Sequence, residues 1–402
     1  MQFNHVFIPY GGYWSTPFAR WQGNFAHLHP MVFAAEVARN ALRERDITPE
    51  IFDTLFLGMT IPAVHSFYGA PWLAGLIGAT TVSGPTINQA CATSARVMGS
   101  VAYELESDSG RCILAITCDK TSNGPHIFYP NPSGPGGKGE SEDWVWDNFN
   151  FDPFATNAMI ETAENVAHES QITWEEQNAV TLLRFQQYQE ALKEDAAFHR
   201  RYMVSPLEVK DASGRKVIAT VLDDEGIYKT TAEGLSRLRP VMEDGTVSFG
   251  SQTHPADGNC GMVLTSKERA QALSRDSGVT VQIISFGQAR AKKGFMAQAT
   301  VPAARQALER AEIDITKVKS IKTHNPFAIN DIYFAREMGV SLDAFNNYGS
   351  SLIFGHPQGP TGMRLIIELI EELVLLGGGY GLFTGCAAGD TGAAIVLRVD
   401  IA

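Results

Sequence analysis

The chain has 402 residues, of which 44% are hydrophobic and 19% charged, so it can bury a large core and form two or more domains. Its 32 Lys and Arg residues stand against 44 Asp and Glu residues, which gives a formal net charge of −12. This acidic balance, without a basic run interleaved with aromatic residues, argues against binding to nucleic acids or to anionic membranes.

The first part of the chain predicts strands that alternate with helices, a pattern that favours a buried parallel sheet. The chain begins without a basic segment followed by a long apolar stretch, and no run of about 20 apolar residues occurs, so we expect neither a leader nor a membrane span. The predicted elements are strand 6–8, helix 31–42, strand 54–57, helix 71–77, strand 85–89, helix 93–105 and strand 112–117.

The alternation stops between residues 121 and 245, where glycine-rich and charged segments predict an inserted loop domain whose longest helix covers 173–193. It then resumes in a second half that echoes the first. In each half a short polar segment leads into a long helix, so packing the halves together would bring two helix N-termini to a shared centre. The later elements are strand 279–286, helix 302–311, strand 320–323, helices 330–337 and 362–376, and strands 380–384 and 393–398.

The five cysteines, at positions 91, 112, 118, 260 and 386, are odd in number, widely spaced and free of CxxC pairs. This pattern is typical neither of a disulfide framework nor of a zinc site, so we expect a protein of the reducing cytoplasm and no bound metal. Cys112 and Cys118 lie in or beside an apolar strand without a neighbouring turn, and we expect both to be structural.

Cys91 lies where an apolar strand ends and a helix of small residues begins. The partial positive charge of a helix N-terminus favours thiolate over thiol, which is one way to make a nucleophile. Free cysteines are also among the most buried residue types, so a structural role is the alternative.

Two further segments have the composition of a site. His356 lies between Gly355 and Pro357 in a turn before a helix, where glycine lets the backbone approach a ligand closely. Cys386 ends an apolar strand inside a run of small residues that clear space around its thiol. Taken singly, a histidine or a tight turn of this kind is also compatible with a purely structural role.

Together, and in their order and spacing, the three segments resemble the thiolase family. This family includes acetyl-CoA acetyltransferases and 3-ketoacyl-CoA thiolases. The matching motifs are NQACATS (88–94), GHPQGPTG (355–362) and CAAG (386–389), and the similarity extends over nearly the whole chain. The resemblance implies an α/β thiolase-like fold, with two related βαβαβαββ halves in a five-layered α-β-α-β-α core and an inserted loop domain. We expect the halves at 1–268, which includes the loop domain, and 278–402.

The resemblance also implies a mechanism with coenzyme A as cosubstrate and no permanently bound cofactor. His356 takes the proton of Cys91, whose thiolate attacks a 3-ketoacyl-CoA, and Cys386 protonates the carbanion of the departing acetyl-CoA. Free CoA then releases the acyl group from Cys91, and the reverse direction is a Claisen condensation. The backbone N–H groups of Cys91 and Ala388 would form one oxyanion hole, and His356 with His324 the other.

Three segments depart from the commonest thiolase pattern. HNPFA (324–328) places His324 where most members have Asn, which resembles the sterol-carrier-protein type of thiolase; the alternative is that His324 caps the following helix. In GSQTHPADG (250–258), Thr253 keeps a hydroxyl near the expected pantetheine while His254 and Pro255 replace small residues. Ala388 replaces the usual Gly. The CoA-contacting residues that the resemblance implies are Thr253, His254, Phe327 and Met159.

Aromatic residues between Phe128 and Phe154 fall in the predicted loop domain and favour a pocket for a bulky or aromatic acyl group, unless they only pack that domain or a subunit interface. The resemblance implies a homodimer or dimer of dimers, and the His324 subgroup often has a small zinc-ribbon/OB-fold partner. Two other functions stay open: a non-catalytic acyl-CoA-binding subunit, and a ketosynthase or hydroxymethylglutaryl-CoA synthase-like enzyme, against which Cys386 argues.

Overall fold

The computed structural model describes residues 1–402, with fifteen strands and thirteen α-helices. The strands are β1 (Phe7–Ile8), β2 (Tyr13–Ser15), β3 (Ala19–Arg20), β4 (Thr54–Gly58), β5 (Thr86–Ile87), β6 (Ile113–Lys120), β7 (His126–Tyr129), β8 (Glu140–Asp143), β9 (Leu207–Lys210), β10 (Val217–Val221), β11 (Ala256–Leu264), β12 (Val279–Arg290), β13 (Val318–His324), β14 (Gly379–Ala387) and β15 (Thr391–Ile401). The helices are α1 (Pro30–Arg43), α2 (Gly69–Ile77), α3 (Thr93–Ser107), α4 (Trp146–Asn150), α5 (Met159–Glu169), α6 (Trp174–Ala191), α7 (Lys193–Ala196), α8 (Ala232–Ser236), α9 (Lys267–Leu273), α10 (Thr300–Arg310), α11 (Ala328–Met338), α12 (Ser351–Phe354) and α13 (Gly359–Leu375).

Two mixed sheets form the framework. One sheet has the order β2-β11-β6-β4-β5, with β3 beside β11, and the other has the order β1-β12-β15-β14-β13. Only the pairs β4–β5, β4–β6 and β13–β14 are parallel, so the prediction of a parallel sheet is wrong for most of the pairings. The turn between β14 and β15 is three residues long, and such a short connection permits only antiparallel pairing.

Helices α3 and α13 pack against each other between the two sheets. Helices α1 and α2 cover the outer face of the first sheet, and α10 and α11 cover that of the second. Residues 359–373 of α13 are all buried, as a helix with neighbours on every side requires, and the apolar residues between Met363 and Leu373 belong to the largest core cluster. The predicted α-β-α-β-α order of layers is confirmed.

The elements from β7 to α8 all lie between β6 and β11 along the chain. They comprise two hairpins, β7–β8 and β9–β10, and a set of helices. The longest, α6, begins after Thr173, whose side chain accepts the Glu176 N–H while the Glu176 carboxylate accepts the Thr173 N–H. The exact limits of the loop domain and of the two halves stay a prediction. None of the helices is both long and apolar enough to cross a lipid bilayer.

Candidate active site

Cys91 lies in the turn before α3, at the N-terminal end of this central helix. Ala90 has a φ of 45°, and the Thr93 hydroxyl accepts the Gln89 N–H at 2.8 Å and donates to the Ala90 carbonyl, which fixes the turn. Cys91 remains partly accessible, and its thiol donates to Gln358 Oε1 at 3.2 Å. The predicted approach of the two helix starts is therefore confirmed, because Gln358 immediately precedes α13.

Burial dominates the electrostatics of Cys91. It raises the pKa of the thiol to about 12, and the N–H groups of Ala388 and Cys91, which donate toward the sulfur, oppose this rise only in part. The N–H groups at the helix start favour the thiolate, as expected, but burial outweighs them, so the sulfur is a thiol at rest. The sulfur needs a nearby base to become a nucleophile.

Two histidines supply such groups. His356 Nδ1 lies 2.6 Å from Thr361 Oγ1, His324 Nδ1 lies 2.9 Å from Ser351 Oγ, and the two ring centroids are 4.2 Å apart. Both Nε2 atoms are buried without a protein partner, and one nitrogen of each ring and Cys91 Sγ all lie within 4.8 Å of one another. His324 does not cap α11, whose N-cap is Phe327.

Burial lowers the pKa of His324 to about 3 and that of His356 well below its ordinary value, with the neighbouring His324 adding to the second shift. Both rings are therefore neutral at pH 7, and each can offer a lone pair. A thiol and two neutral imidazoles are also donors that a soft divalent ion such as Zn²⁺ accepts. The expectation of no metal rested on local spacing, which does not detect a cluster whose members, Cys91, His324 and His356, lie far apart in the sequence; that expectation stays a prediction.

Cys386 lies fully buried near the end of β14, with its Sγ 3.1 Å from Asn330 Nδ2. Burial raises the pKa of this thiol strongly, Cys91 raises it further, and the hydrogen bond from Asn330 lowers it. Neither Cys386 nor His324 lines the open cavity, whereas Ala388 and Gly389 do. The second cysteine thus lies just behind the wall that faces the cavity.

Asp119, which the sequence reasoning missed, is hydrogen-bonded to the turn between His356 and α13. Its carboxylate accepts N–H groups from Thr60, Ile61 and Gly359 at 2.8–2.9 Å. Burial raises its pKa to about 7 against these hydrogen bonds. The available signal was its position near the end of β6, an edge at which functional side chains of α/β sheets collect.

A cavity of about 1210 Å³ opens above Cys91 and His356. All four residues predicted to contact CoA line it: Thr253, His254, Phe327 and Met159. The Thr253 hydroxyl already donates to the Ser351 carbonyl, and His254 Nε2 lies 3.3 Å from the Glu225 carbonyl oxygen. Burial lowers the pKa of His254, so this ring lines the cavity in its neutral form at neutral pH.

Aromatic side chains form much of the remaining wall. Trp144 is anchored by its indole N–H, which donates to the Thr60 carbonyl at 2.9 Å, and it is joined by Trp146, Phe149 and Phe151. Tyr129 does not line the cavity; its hydroxyl donates to Glu142 across the β7–β8 hairpin. Among Asp, Glu, Lys and Arg residues, only Asp152 and Lys229 line the cavity.

The sequence matches the family described as "Thiolase, N-terminal domain" over residues 13–268 and "Thiolase, C-terminal domain" over residues 278–399. The chain belongs to the thiolase family. As a thiolase it is an acyltransferase, and the recognition from its three motifs is confirmed.

Curated relatives of this thiolase cover nearly its whole length. The 3-oxoadipyl-CoA/3-oxo-5,6-dehydrosuberyl-CoA thiolase of Escherichia coli (strain K12) is 28% identical over 397 residues, which is 95% of this chain and 97% of the relative. The acetyl-CoA acetyltransferase of Pseudomonas aeruginosa is 27% identical over 96% of this chain and 97% of its own. The human mitochondrial 3-ketoacyl-CoA thiolase is 25% identical over 95% and 96% of the two chains.

Solved structures confirm the thiolase fold. The acetyl-CoA acetyltransferase of Bacillus anthracis superposes with a TM-score of 0.90, at 26% identity over 99% of both chains. The human mitochondrial 3-ketoacyl-CoA thiolase in complex with CoA gives a TM-score of 0.88, at 24% identity over 99% of both chains.

Proposed function

We propose that this thiolase cleaves a 3-ketoacyl-CoA with CoA to acetyl-CoA and a shortened acyl-CoA, or runs the reverse Claisen condensation, through an acyl-Cys91 intermediate. One observation carries the proposal. Cys91 Sγ faces a large cavity and lies within 4.8 Å of ring nitrogens of two buried, neutral histidines, His324 and His356. A partly buried thiol beside an unprotonated imidazole is an arrangement for proton transfer to the base and attack by the sulfur.

In the proposed sequence, Nε2 of His356 takes the Cys91 proton and the thiolate attacks the 3-keto carbon. The resulting oxyanion accepts the N–H groups of Cys91 and Ala388. When the carbon–carbon bond breaks, its electron pair passes to the α-carbon of acetyl-CoA, whose enolate oxygen accepts from His324 and protonated His356. Cys386 gives its proton to that carbon.

The second half restores the resting protonation. The CoA thiol gives its proton to the Cys386 thiolate and attacks the acyl group, and Cys91 leaves as a thiolate that recovers its proton from His356. CoA is thus a cosubstrate, and we assign its pantetheine and acyl contacts to Thr253, His254, Phe327 and Met159, which line the cavity around the sulfur.

For the acyl group we propose a bulky or aromatic chain. The support is the aromatic wall of Trp144, Trp146, Phe149 and Phe151 and the scarcity of charged side chains in the cavity. The Escherichia coli relative is named for acyl groups that end in a second carboxylate. The cavity of this chain has no arginine and a single lysine, Lys229, to pair with such a group.

The proposed setting is a reducing cytoplasm, where all five cysteines remain free thiols. We propose a homodimer or dimer of dimers that acts on acyl-CoA and CoA, with a small zinc-ribbon/OB-fold protein as an additional partner. Nucleic acid and membranes are not proposed partners, because the chain has a net charge of −12.

One alternative has its own support. The close His324–His356 pair beside Cys91 also fits a decarboxylating condensing enzyme, which needs two imidazoles at the enolate oxygen. The arrangement of Asn330 against Cys386 favours the thiolase reaction, because a decarboxylation supplies the carbanion without a second thiol.

The experiment is acylation of the purified protein with a panel of acyl-CoA thioesters, from acetyl to aromatic, followed by peptide mass spectrometry. We expect one acyl adduct, on Cys91, and none in a Cys91→Ala variant. The peptides with the buried Cys112, Cys118 and Cys260 serve as internal controls and should stay unmodified. A folded protein, tested alone and with its partner, that forms no adduct on Cys91 would contradict the proposal.

A further inference from the structure

Asn330 is a buried polar residue that touches the second cysteine. It lies in the first turn of α11, is 1% exposed, and places Nδ2 3.1 Å from Cys386 Sγ. Asn330 lies outside the segments 88–94, 324–328, 355–362 and 386–389 that were compared with thiolase motifs. A buried amide in contact with a sulfur that the reaction uses as an acid is an unexplained feature of the site.

The orientation of the amide is set by its other end. The backbone N–H of Phe327 donates to Asn330 Oδ1 at 3.3 Å, so the oxygen must face the start of α11. The NH₂ group then faces Cys386, and the sulfur accepts a hydrogen bond from it. The helix cap and the contact with the thiol are therefore coupled through one planar group.

This contact has two chemical effects on Cys386. A donor to sulfur stabilises the thiolate relative to the thiol, which opposes the large effect of burial. The sulfur acts as an acceptor on the side of α11, so the thiol proton is left to be donated to another partner. Ala388 and Gly389, two and three residues further along the chain, line the cavity above Cys91.

We propose that Asn330 is a positioning residue that holds Cys386 as the acid and base of the carbon–carbon bond step. The inference rests on the proposed thiolase reaction. Asn330 itself touches no substrate. Its hydrogen bond lowers the free energy of the Cys386 thiolate, which forms when the carbanion is protonated. In the reverse direction the same thiolate removes the α-proton and is stabilised in the same way.

The test separates two activities of the whole protein. Exchange of the α-protons of acetyl-CoA in D₂O requires Cys386. Transfer of an acyl group from acyl-CoA to labelled CoA includes no carbon–carbon bond step and forms no Cys386 thiolate, so His356 can give its proton to the departing CoA thiolate and take one from the incoming CoA thiol. Asn330→Asp keeps the volume and the oxygen that caps Phe327, and replaces the NH₂ donor by a second oxygen. We expect α-proton exchange to fall about tenfold or more, with its alkaline limb displaced to higher pH.

Acyl transfer by the same variant should stay within about threefold of the wild type, since Asn330 makes its hydrogen bonds with Cys386 and Phe327 and none with Cys91 or His356. Asn346→Asp is the matched control: Asn346 is equally buried, but its amide donates to Thr323 Oγ1 and Asp331 Oδ2. Asn330→Ala, which removes the donor without adding a charge, should show the same loss of exchange with retained transfer if Asn330→Asp does not fold.

Equal loss of both activities in the Asn330 variants, or an unchanged exchange profile, would overturn the inference. The same selective loss in Asn346→Asp would do so too, because it would show a general effect of a buried charge. Failure of the proposed function is distinguishable, since the wild-type protein would then show neither acyl transfer nor an adduct on Cys91.

Discussion

At the scale of single residues, the site consists of a thiol and two imidazoles that are neutral at rest, because burial disfavours their charged forms. The pKa of Cys91 rises to about 12 and that of His324 falls to about 3, so the resting site holds a thiol and uncharged rings. A thiolate and an imidazolium formed together stabilise each other in the same low-dielectric space. We infer that the charged pair forms during the reaction and is not stored at rest.

The separate role of the second cysteine gives a prediction. In Cys386→Ala we expect acyl transfer between CoA thioesters to persist, while carbon–carbon cleavage and formation fall about 100-fold or more, because an acid–base group contributes that much. Acyl-adduct mass spectrometry and a thiolysis assay measure the two activities. Cys112→Ala, at another fully buried cysteine, should leave their ratio unchanged. Loss of both activities in Cys386→Ala would show that the proposed role is wrong.

At the scale of elements, the site depends on how the starts of α3 and α13 are held together. The Ser94 hydroxyl donates to the Gly359 carbonyl, and the Gly359 N–H donates to Asp119 at 2.8 Å. Gln358, between His356 and α13, has a φ of 63° and a ψ of −104°, a backbone conformation that a residue with a side chain rarely adopts and that needs such support. The two helix starts and β6 therefore form one connected unit.

Removal of the carboxylate tests this support. Asp119→Ala leaves three buried backbone N–H groups without their acceptor, each at a cost of about 1–3 kcal/mol, so we expect a clear loss of unfolding free energy. Acylation of Cys91 should slow as well, since the turn with His356 loses its anchor. Denaturant unfolding and the rate of adduct formation are the measurements.

Asp257 provides the comparison, because it is a buried aspartate in β11 that accepts the Ser122 N–H. We expect Asp257→Ala to lower the unfolding free energy without a comparable effect on acylation. If the two variants slowed acylation equally, the effect of Asp119 would be one of general stability.

At the scale of the whole molecule, buried histidines couple folding to pH. His199 lies 2% exposed between Tyr188, Phe198 and Tyr202, and neither ring nitrogen has a partner. Burial lowers its pKa from 6.5 to about 4, against the attraction of Asp224. As the pH falls, His199 is therefore protonated near pH 6.5 in the unfolded chain but only near pH 4 in the folded chain.

Acidification should consequently destabilise the fold. His199, His324 and His356 are all neutral when buried, so between pH 6.5 and about 4 each lowers the unfolding free energy by up to about 1.4 kcal/mol per pH unit. His199→Phe removes one of these three terms and should reduce the slope by that amount while the protein stays folded at pH 7. Denaturant unfolding at several pH values measures the slope, and an unchanged slope would contradict this origin.

The sequence by itself predicted most of the strands and helices of the two halves and the segments that hold Cys91, His356 and Cys386, because hydrophobic periods indicate the elements and small residues indicate the turns. The five-layered fold followed only from the resemblance of the three motifs to the thiolase family. The strand β11 was not predicted, since its nine residues include polar and glycine positions that only burial on both faces makes compatible with a strand.

Tertiary structure alone decided the antiparallel pairings, the protonation state of the site, and the roles of Asp119 and Asn330. Cys91 and Gln358 are 267 residues apart in sequence, and Asn330 and Cys386 are 56 apart, so no local spacing reports these contacts. The burial of the site residues, which sets their protonation state, likewise results from the packing of all the layers. The same sulfur that a helix start would favour as a thiolate is a thiol here, because desolvation in the packed centre outweighs the N–H groups of a single turn.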